Sequence, residues 1–503
     1  MILKTLQWVS VIQFVCLITW VYFRWLNVRQ FWKRRGVPHL PPHPILGSLT
    51  FLQRKNPATW MIEMYQKFNT PYVGIWLFWR PALIINSPEI AKNVLVKDFD
   101  YFRDRFLSSG RSDPVGGLNL FTINDPLWSS LRRRLTSVFT SSKLKAMQPL
   151  IDTKTFELVE RIRSTEDKTK ISLRYLFTDF TTDIFATAAF GIKTNATLTG
   201  EDPMRTVTKA FMEFDMYRGL NWISIFFFPK LVDIFRFSFF PKSSTDYFTR
   251  VFNIVSQKRA SNRNTESKDF LDVLLKMKEE GANNGEAISD QIIIAQAAIF
   301  LFGGFETSGS ILSFATYELA FNQDVQEKLY NELKEVQMQS KDGRLEIIKL
   351  SELPYINAVT KETLRKYVPM GWLDRVAAMD YKVDDNLTIP AGTPIYVNAI
   401  GMQHDSNIYP DPDTFNPDRF LPENEKNIKP YTYLPFGDGP RSCIGKRFGQ
   451  MSVRHGIANL ILNYKVVPLP GAPKPNEVEF DKRGLFLVPG QHLHVNFVSR
   501  NQD

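Results

Sequence analysis

A chain of 503 residues that is 44% apolar and 23% charged has enough material for a large folded core, which excludes a disordered or fibrous protein. Its 62 basic and 52 acidic residues leave a net charge of +10, suited to an anionic membrane surface or an acidic partner; without an arginine-rich stripe or zinc-finger spacing, no nucleic acid is expected. Of two cysteines, Cys16 lies in an apolar N-terminal segment, so Cys443 is the only thiol of the body, and disulfide frameworks and cysteine-rich zinc clusters are excluded.

Residues 6–23 are apolar and uncharged apart from the polar Gln7 and Gln13. At a rise of ~1.5 Å per residue this run just crosses a bilayer core of ~30 Å. A cleaved signal peptide needs small residues after the run, and here Tyr22, Phe23, Trp25 and Leu26 follow. Only Lys4 precedes the segment, whereas Arg24, Arg29, Lys33, Arg34 and Arg35 follow it, which predicts a body on the cytosolic side. Residues 36–44 are proline-rich and predict an extended, semi-rigid spacer. The expected organisation is a membrane anchor over 1–24, a basic stop and proline hinge over 25–45, and one domain over 46–503.

Residues 71–78 and 81–86 predict two strands joined by a turn, and 89–96 has helical spacing. The stretch 102–125 is rich in Gly, Ser, Asp and Pro and predicts a long loop. Trp128 and Arg132 are four apart on a predicted helix and share one face, where both can donate to a carboxylate. Several helices are expected between 144 and 190. The intensely aromatic 221–241 stretch is broken by prolines and carries Lys230, Arg236 and Lys242. It suits core packing or a membrane-dipping loop, and the interleaved charges favour the loop. The polar 266–284 stretch reads as a surface linker. Asp290 predicts the N-cap of a long buried helix that runs through Gly303 and Gly304 to about Leu319, at ~1 kcal/mol per internal glycine relative to alanine. Glu362 and Arg365 take neighbouring helix positions, 389–397 reads as a turn and strand, and His492 and His494 alternate on a predicted last strand.

Cys443 sits in a loop punctuated by Gly437, Gly439 and Gly445, with Arg441 two residues before it and a helical run from Lys446. A lone cysteine is usually an inert core residue. Here the glycines allow close backbone approach to something flat, and a helix start beside the sulfur favours thiolate. A Cys443–His455 catalytic pair has no third group to orient it.

The spacing of Phe436, Gly439, Arg441, Cys443 and Gly445 resembles the Phe-x-x-Gly-x-Arg-x-Cys-x-Gly loop of the haem-thiolate monooxygenases, the cytochrome P-450 superfamily. The wording around 32–38 and 362–367 is most similar to insect microsomal members of family six. The resemblance implies a mainly α fold with small β-sheets, one large catalytic domain behind an N-terminal transmembrane helix. It implies haem b (iron protoporphyrin) with an axial thiolate from Cys443. Phe436 and Gly303 would contact that cofactor, and Trp128, Arg132, Arg375 and Arg441 would hold it. Gly303 to Thr307 resembles the Ala/Gly-Gly-x-Asp/Glu-Thr motif, so Thr307 and Glu306 would form an acid–alcohol pair on the oxygen side, delivering protons. Glu362, Arg365 and Arg419 would serve folding. The 102–125 loop, 368–373, Leu485 and Phe486 would line the substrate cavity.

The expected function is NADPH-dependent insertion of one oxygen atom into apolar small molecules at the endoplasmic reticulum membrane. The expected partners are an NADPH–cytochrome reductase, cytochrome b5 and membrane lipid. Plant toxins or insecticides are the leading substrates and endogenous lipids or hormones the alternative. Peroxide isomerisation and non-catalytic haem sensing are the rival readings.

Overall fold

The apolar N-terminal run lies within α1 (Ile2–Arg29), a 28-residue helix whose side chains from 7 to 24 all face outward. The computed structural model describes residues 2–261, 269–283, 288–340 and 343–500. Among the described residues a second helix is long and apolar enough to cross a bilayer, but it is mostly buried inside the body.

The segment after α1 departs from a free hinge. Trp32 is fully buried, and its indole N–H donates to the Ile75 carbonyl at 2.9 Å. Trp76 donates back to the Val28 carbonyl at 3.0 Å, and Trp79 to that of Pro44 at 2.6 Å. Gly74 makes the socket: a Cβ there would stand 2.4 Å from the Trp32 ring. The prolines keep this strap extended, but burial of two indoles with satisfied N–H groups docks it onto the body.

The first predicted hairpin forms as β1 (Tyr72–Leu77) and β2 (Arg80–Ile85), paired antiparallel. With β3 (Leu373–Val376) and β4 (Pro394–Val397) they make a four-stranded sheet ordered β1-β2-β4-β3, in which β2 and β4 run parallel. A second sheet pairs β5 (Tyr464–Pro468) with β6 (Val495–Ser499), and His492 and His494 lie just before β6, outside the strand.

Helices make up the rest. Those that build the site are α2 (Leu127–Thr136), α3 (Leu173–Phe190), α4 (Met216–Phe227), α5 (Lys230–Phe235), α6 (Asp290–Phe321), α7 (Pro354–Lys366) and α8 (Lys446–Asn463). The long central helix is α6. Its N-cap is Ser289, one residue before the expected Asp290, whose carboxylate instead occupies the first turn, where the helix dipole favours it. The two glycines of α6 answer different needs. A Cβ on Gly304 would fall 2.0 Å from the Phe185 ring of α3, so this glycine lets two core helices cross closely. A Cβ on Gly303 would meet nothing within 4 Å, because that side is open cavity.

One expectation fails on packing, and another is divided between its two readings. Within 266–284, residues Phe270–Asn283 form a helix that buries Phe270, Leu271, Leu274 and Met277, a helical apolar face hidden in a polar composition; 266–268 and 284 lie outside the described residues. In the aromatic 221–241 stretch, Phe226, Phe227, Phe237, Phe239 and Phe240 turn into the core, while Ile234 and Phe235 stay outside with Met216, Tyr217 and Leu220. The inward rings pack on Phe211 and Phe302, Trp222 of α4 and Phe240 against Phe211 and Phe239 against Phe302, so the stretch is core on one side and an exposed apolar rim on the other.

Glu362 and Arg365 are fully buried, and the guanidinium grips both carboxylate oxygens at 2.7 and 2.8 Å. Arg365 also donates to the carbonyls of Gln403 and Pro412, and Arg419 approaches Glu362 to 3.6 Å. Gln403 in turn accepts the Leu434 N–H, joining this network to the chain that leads to Cys443.

Candidate active site

The 434–445 loop is held by its own backbone. The Cys443 N–H donates to the Phe436 carbonyl at 2.8 Å, and Gly437 and Ser442 close turns onto Leu434 and Gly439. Gly439 has φ +72°, and a Cβ there would lie 2.0 Å from the Leu95 carbonyl oxygen, so only glycine fits. The chain turns into α8 directly afterwards, with Gly445 as N-cap.

Cys443 lies beneath much protein, yet its side chain is exposed to a cavity of about 320 Å³. Its surroundings pull in opposite directions. Burial pushes the thiol pKa up, and the Gly445 N–H together with Arg132, Arg105 and Lys446 offsets this only in part. Arg441 is turned away from the sulfur. Its guanidinium lies 4.1 Å over the Trp128 ring and donates to the carbonyls of Arg103 and Ile123.

The cavity has distinct walls. Gly303, Gly304 and Thr307 of α6 form one side, Leu120, Phe121, Phe302 and Phe486 form the top, and Phe436 lies in the wall beside Cys443. Trp128 and Arg132 of α2 both face in, as their shared helix face requires. Leu485 is buried but lies off the wall.

One edge is crowded with guanidinium groups. Arg105 and Arg441 line the cavity, and Arg375 stands fully buried within electrostatic reach of both. Burial and mutual repulsion bring Arg375 and Arg441 down to about 9. Arg105 pairs with Asp374 at 3.2 Å, yet the Nε atoms of Arg105 and Arg375 are buried without a hydrogen-bond partner. Buried, mutually repelling cations with orphaned donors need an anion. Arg105 was not singled out by its sequence context, although Arg103-Asp-Arg105 is a charge cluster at the start of a small-residue loop.

The structure separates the acid from the alcohol. Thr307 faces the cavity and donates its hydroxyl to the Gly303 carbonyl at 2.6 Å. Glu306 is buried on another side of α6, where Arg174 of α3 holds it at 2.8 Å, and it does not reach the cavity wall. Successive helical residues point ~100° apart, so neighbours in sequence need not share a site. His455 is committed to the Met451 and Leu345 carbonyls and makes no pair with Cys443.

A soft sulfur ligand below, an unobstructed glycine on the side wall and unsatisfied guanidinium donors at one edge fit a flat, iron-centred macrocycle with anionic arms. A cytochrome P450 family model matches residues 37–496. Cytochrome P450 6k1 of Blattella germanica is 34% identical over 489 residues, spanning 93% of each chain. Cytochrome P450 6a2 of Drosophila melanogaster is 36% identical over 468 residues, 90% of this chain and 91% of the relative. Cytochrome P450 6A1 of Musca domestica is 34% identical over 482 residues, 93% of each chain. The chain thus belongs to the cytochrome P450 family, is similar to insect members of its family six, and carries with that membership monooxygenase chemistry at a haem bound through a cysteine thiolate.

Proposed function

We propose that the protein uses NADPH-derived electrons, delivered by a flavoprotein reductase, to insert one oxygen atom from O2 into apolar xenobiotics at the cytosolic face of the endoplasmic reticulum membrane. The observation that carries this reading is a cavity of about 320 Å³, lined largely by aromatic and aliphatic side chains, with Cys443 exposed to it. When bound, haem supplies electron transfer and O2 activation.

The chain's own residues do the rest. Cys443 would hold the haem iron through its sulfur, its own position set by the backbone bond to Phe436. Arg105, Arg132, Arg375 and Arg441, with the Trp128 indole, orient the anionic arms of the cofactor. Leu120, Phe121, Phe302 and Phe486 exclude water and favour apolar substrate over polar. Thr307 holds a proton at its hydroxyl oxygen, now given to the Gly303 carbonyl and free to be redirected into the cavity. Glu306, paired with Arg174, would anchor α6 to α3 beside Thr307. The outward-facing α1 and the basic residues that follow it support membrane attachment with the body on the cytosolic side.

Reduced protein with carbon monoxide is expected to give the red-shifted thiolate band, and Cys443→His to abolish it; retention of the band by the variant refutes the ligand assignment. Reconstitution with reductase and apolar compounds is expected to give oxygenated product with NADPH consumption, whereas ligand binding without turnover identifies a sensor. Thr307→Ala is expected to uncouple NADPH use from product, with release of peroxide as the readout.

A further inference from the structure

One pair of side chains stands apart from the cavity and its chemistry. His492 and His494 flank Leu493 in an extended segment just ahead of β6, so the two imidazoles leave the same side of the chain while Leu493, 2% exposed, turns into the core. The segment is fastened to the start of α3 at three points. The Leu173 N–H donates to the Leu493 carbonyl at 3.0 Å, His494 Nδ1 meets the Ile171 carbonyl at 3.1 Å, and His492 Nδ1 meets the Ser172 hydroxyl at 3.1 Å. Ser172 is the N-cap of α3, yet its side chain accepts no N–H of the helix and serves the histidine instead. The Tyr175 ring lies against His492 at 5.0 Å, and the two imidazole centroids stand 6.3 Å apart.

We propose that His492 and His494 form a binding site for a divalent transition-metal ion, Zn2+ or Cu2+, held by Nε2 of each ring. The hydrogen bonds decide which nitrogen is free. A ring nitrogen that faces a carbonyl oxygen carries the proton, so His494 keeps its lone pair on Nε2; the Ser172 hydroxyl can accept from His492 Nδ1 and leaves the same atom free there. Among the described residues no hydrogen bond occupies either Nε2. Tying the far nitrogen to a carbonyl or hydroxyl is how a protein orients an imidazole ligand. Metal–nitrogen bonds of ~2.0–2.1 Å at a tetrahedral angle put two ring centroids about 5 Å apart, so a shift of about 1 Å by the exposed His492 ring completes the chelate.

The donor set also decides the class of ion. Among the described residues no group of three His, Cys, Asp or Glu is gathered, so water fills the remaining positions and the ion is exchangeable rather than structural. Without a carboxylate, and beside the positive end of α3, Ca2+ and Mg2+ find no oxygen cage, whereas imidazole donors favour Cu2+ and Zn2+. A bound ion stiffens the contact between 492–494 and α3, the helix whose Arg174 holds Glu306 of α6.

The site is independent of the haem-thiolate reading, and its test needs no turnover. Full-length protein carrying Cys16→Ser, which removes an exposed competing thiol, is titrated with Zn2+ by calorimetry. His492→Asn and His494→Asn place an amide N–H where Nδ1 stood, so they keep the contact to α3 and lose the Nε2 donor. Each is expected to weaken the tightest Zn2+ binding about a hundredfold, because a two-donor chelate loses its avidity with either donor, and the double variant should add little. Excess Mg2+ should not compete. In hydrogen exchange, Zn2+ should slow the Leu173 amide of the parent and of neither variant. Parent-like Zn2+ affinity in either variant overturns the site. Additive small losses also overturn it, since they mark two separate imidazoles, as do competition by Mg2+ and a Leu173 amide indifferent to Zn2+.

Discussion

The floor and the roof of the cavity are built on opposite principles. The Cys443 floor is a short local structure: turns between residues a few positions apart, positive-φ glycines and a helix start. The roof is assembled from the 108–121 segment, α4 to α5, 237–240 and Phe486, which meet only through long-range contacts. A local structure can hold a cofactor at fixed geometry. A composite one can change shape with its occupant, and it is where a family can vary substrate while keeping chemistry.

That contrast can be broken from either side. The largest effect is expected beneath the floor. Glu362→Gln leaves Arg365 buried without its counter-charge and should cost ~3–5 kcal/mol. Its loss should reach Cys443 through Gln403 and Leu434, so that the haem-loaded fraction falls along with the urea midpoint. A variant that loses stability but loads haem fully would show that floor and network are independent. A smaller effect is expected at the roof. Phe121→Ala removes an inner-layer ring and its stacking on Arg105 at 4.5 Å. It should cost ~1–3 kcal/mol and shift the ratio of products from a bulky and a slim substrate several-fold, leaving the thiolate band in place. Unchanged selectivity would mean that Phe121 is only a packing residue.

The sequence was informative where function depends on local spacing. Phe436, Gly439, Arg441 and Cys443 could be placed in one loop, and Trp128 with Arg132 on one helix face, because turns and helices fix those relations within a few residues. Thr307 was legible for the same reason. The direction of Glu306 was not, since it depends on Arg174, 132 positions away, taking the carboxylate out of the cavity. Arg105 is hidden in the same way, and the choice between core and membrane surface for the aromatics of 226–240 stays open in the sequence for the same reason. Charge beside small residues reads as solvated loop, and aromatics beside lysines read as a membrane surface, until the elements that cover them are known. Residues 270–283 show the limit for composition: buried Phe270, Leu274 and Met277 have helical spacing, but flanking polar residues dilute the signal.

The Trp32 socket carries a mechanical consequence. A helix joined to its domain by a slack tether transmits depth alone. One joined through an indole seated over Gly74 transmits angle as well. Tilting α1 in its bilayer would tilt β1, and through the contact of Phe78 with Phe228 at 5.3 Å it would also tilt the 228–235 rim. The socket then works as a rigid joint, by which β1 and the 228–235 segment keep a fixed angle to α1.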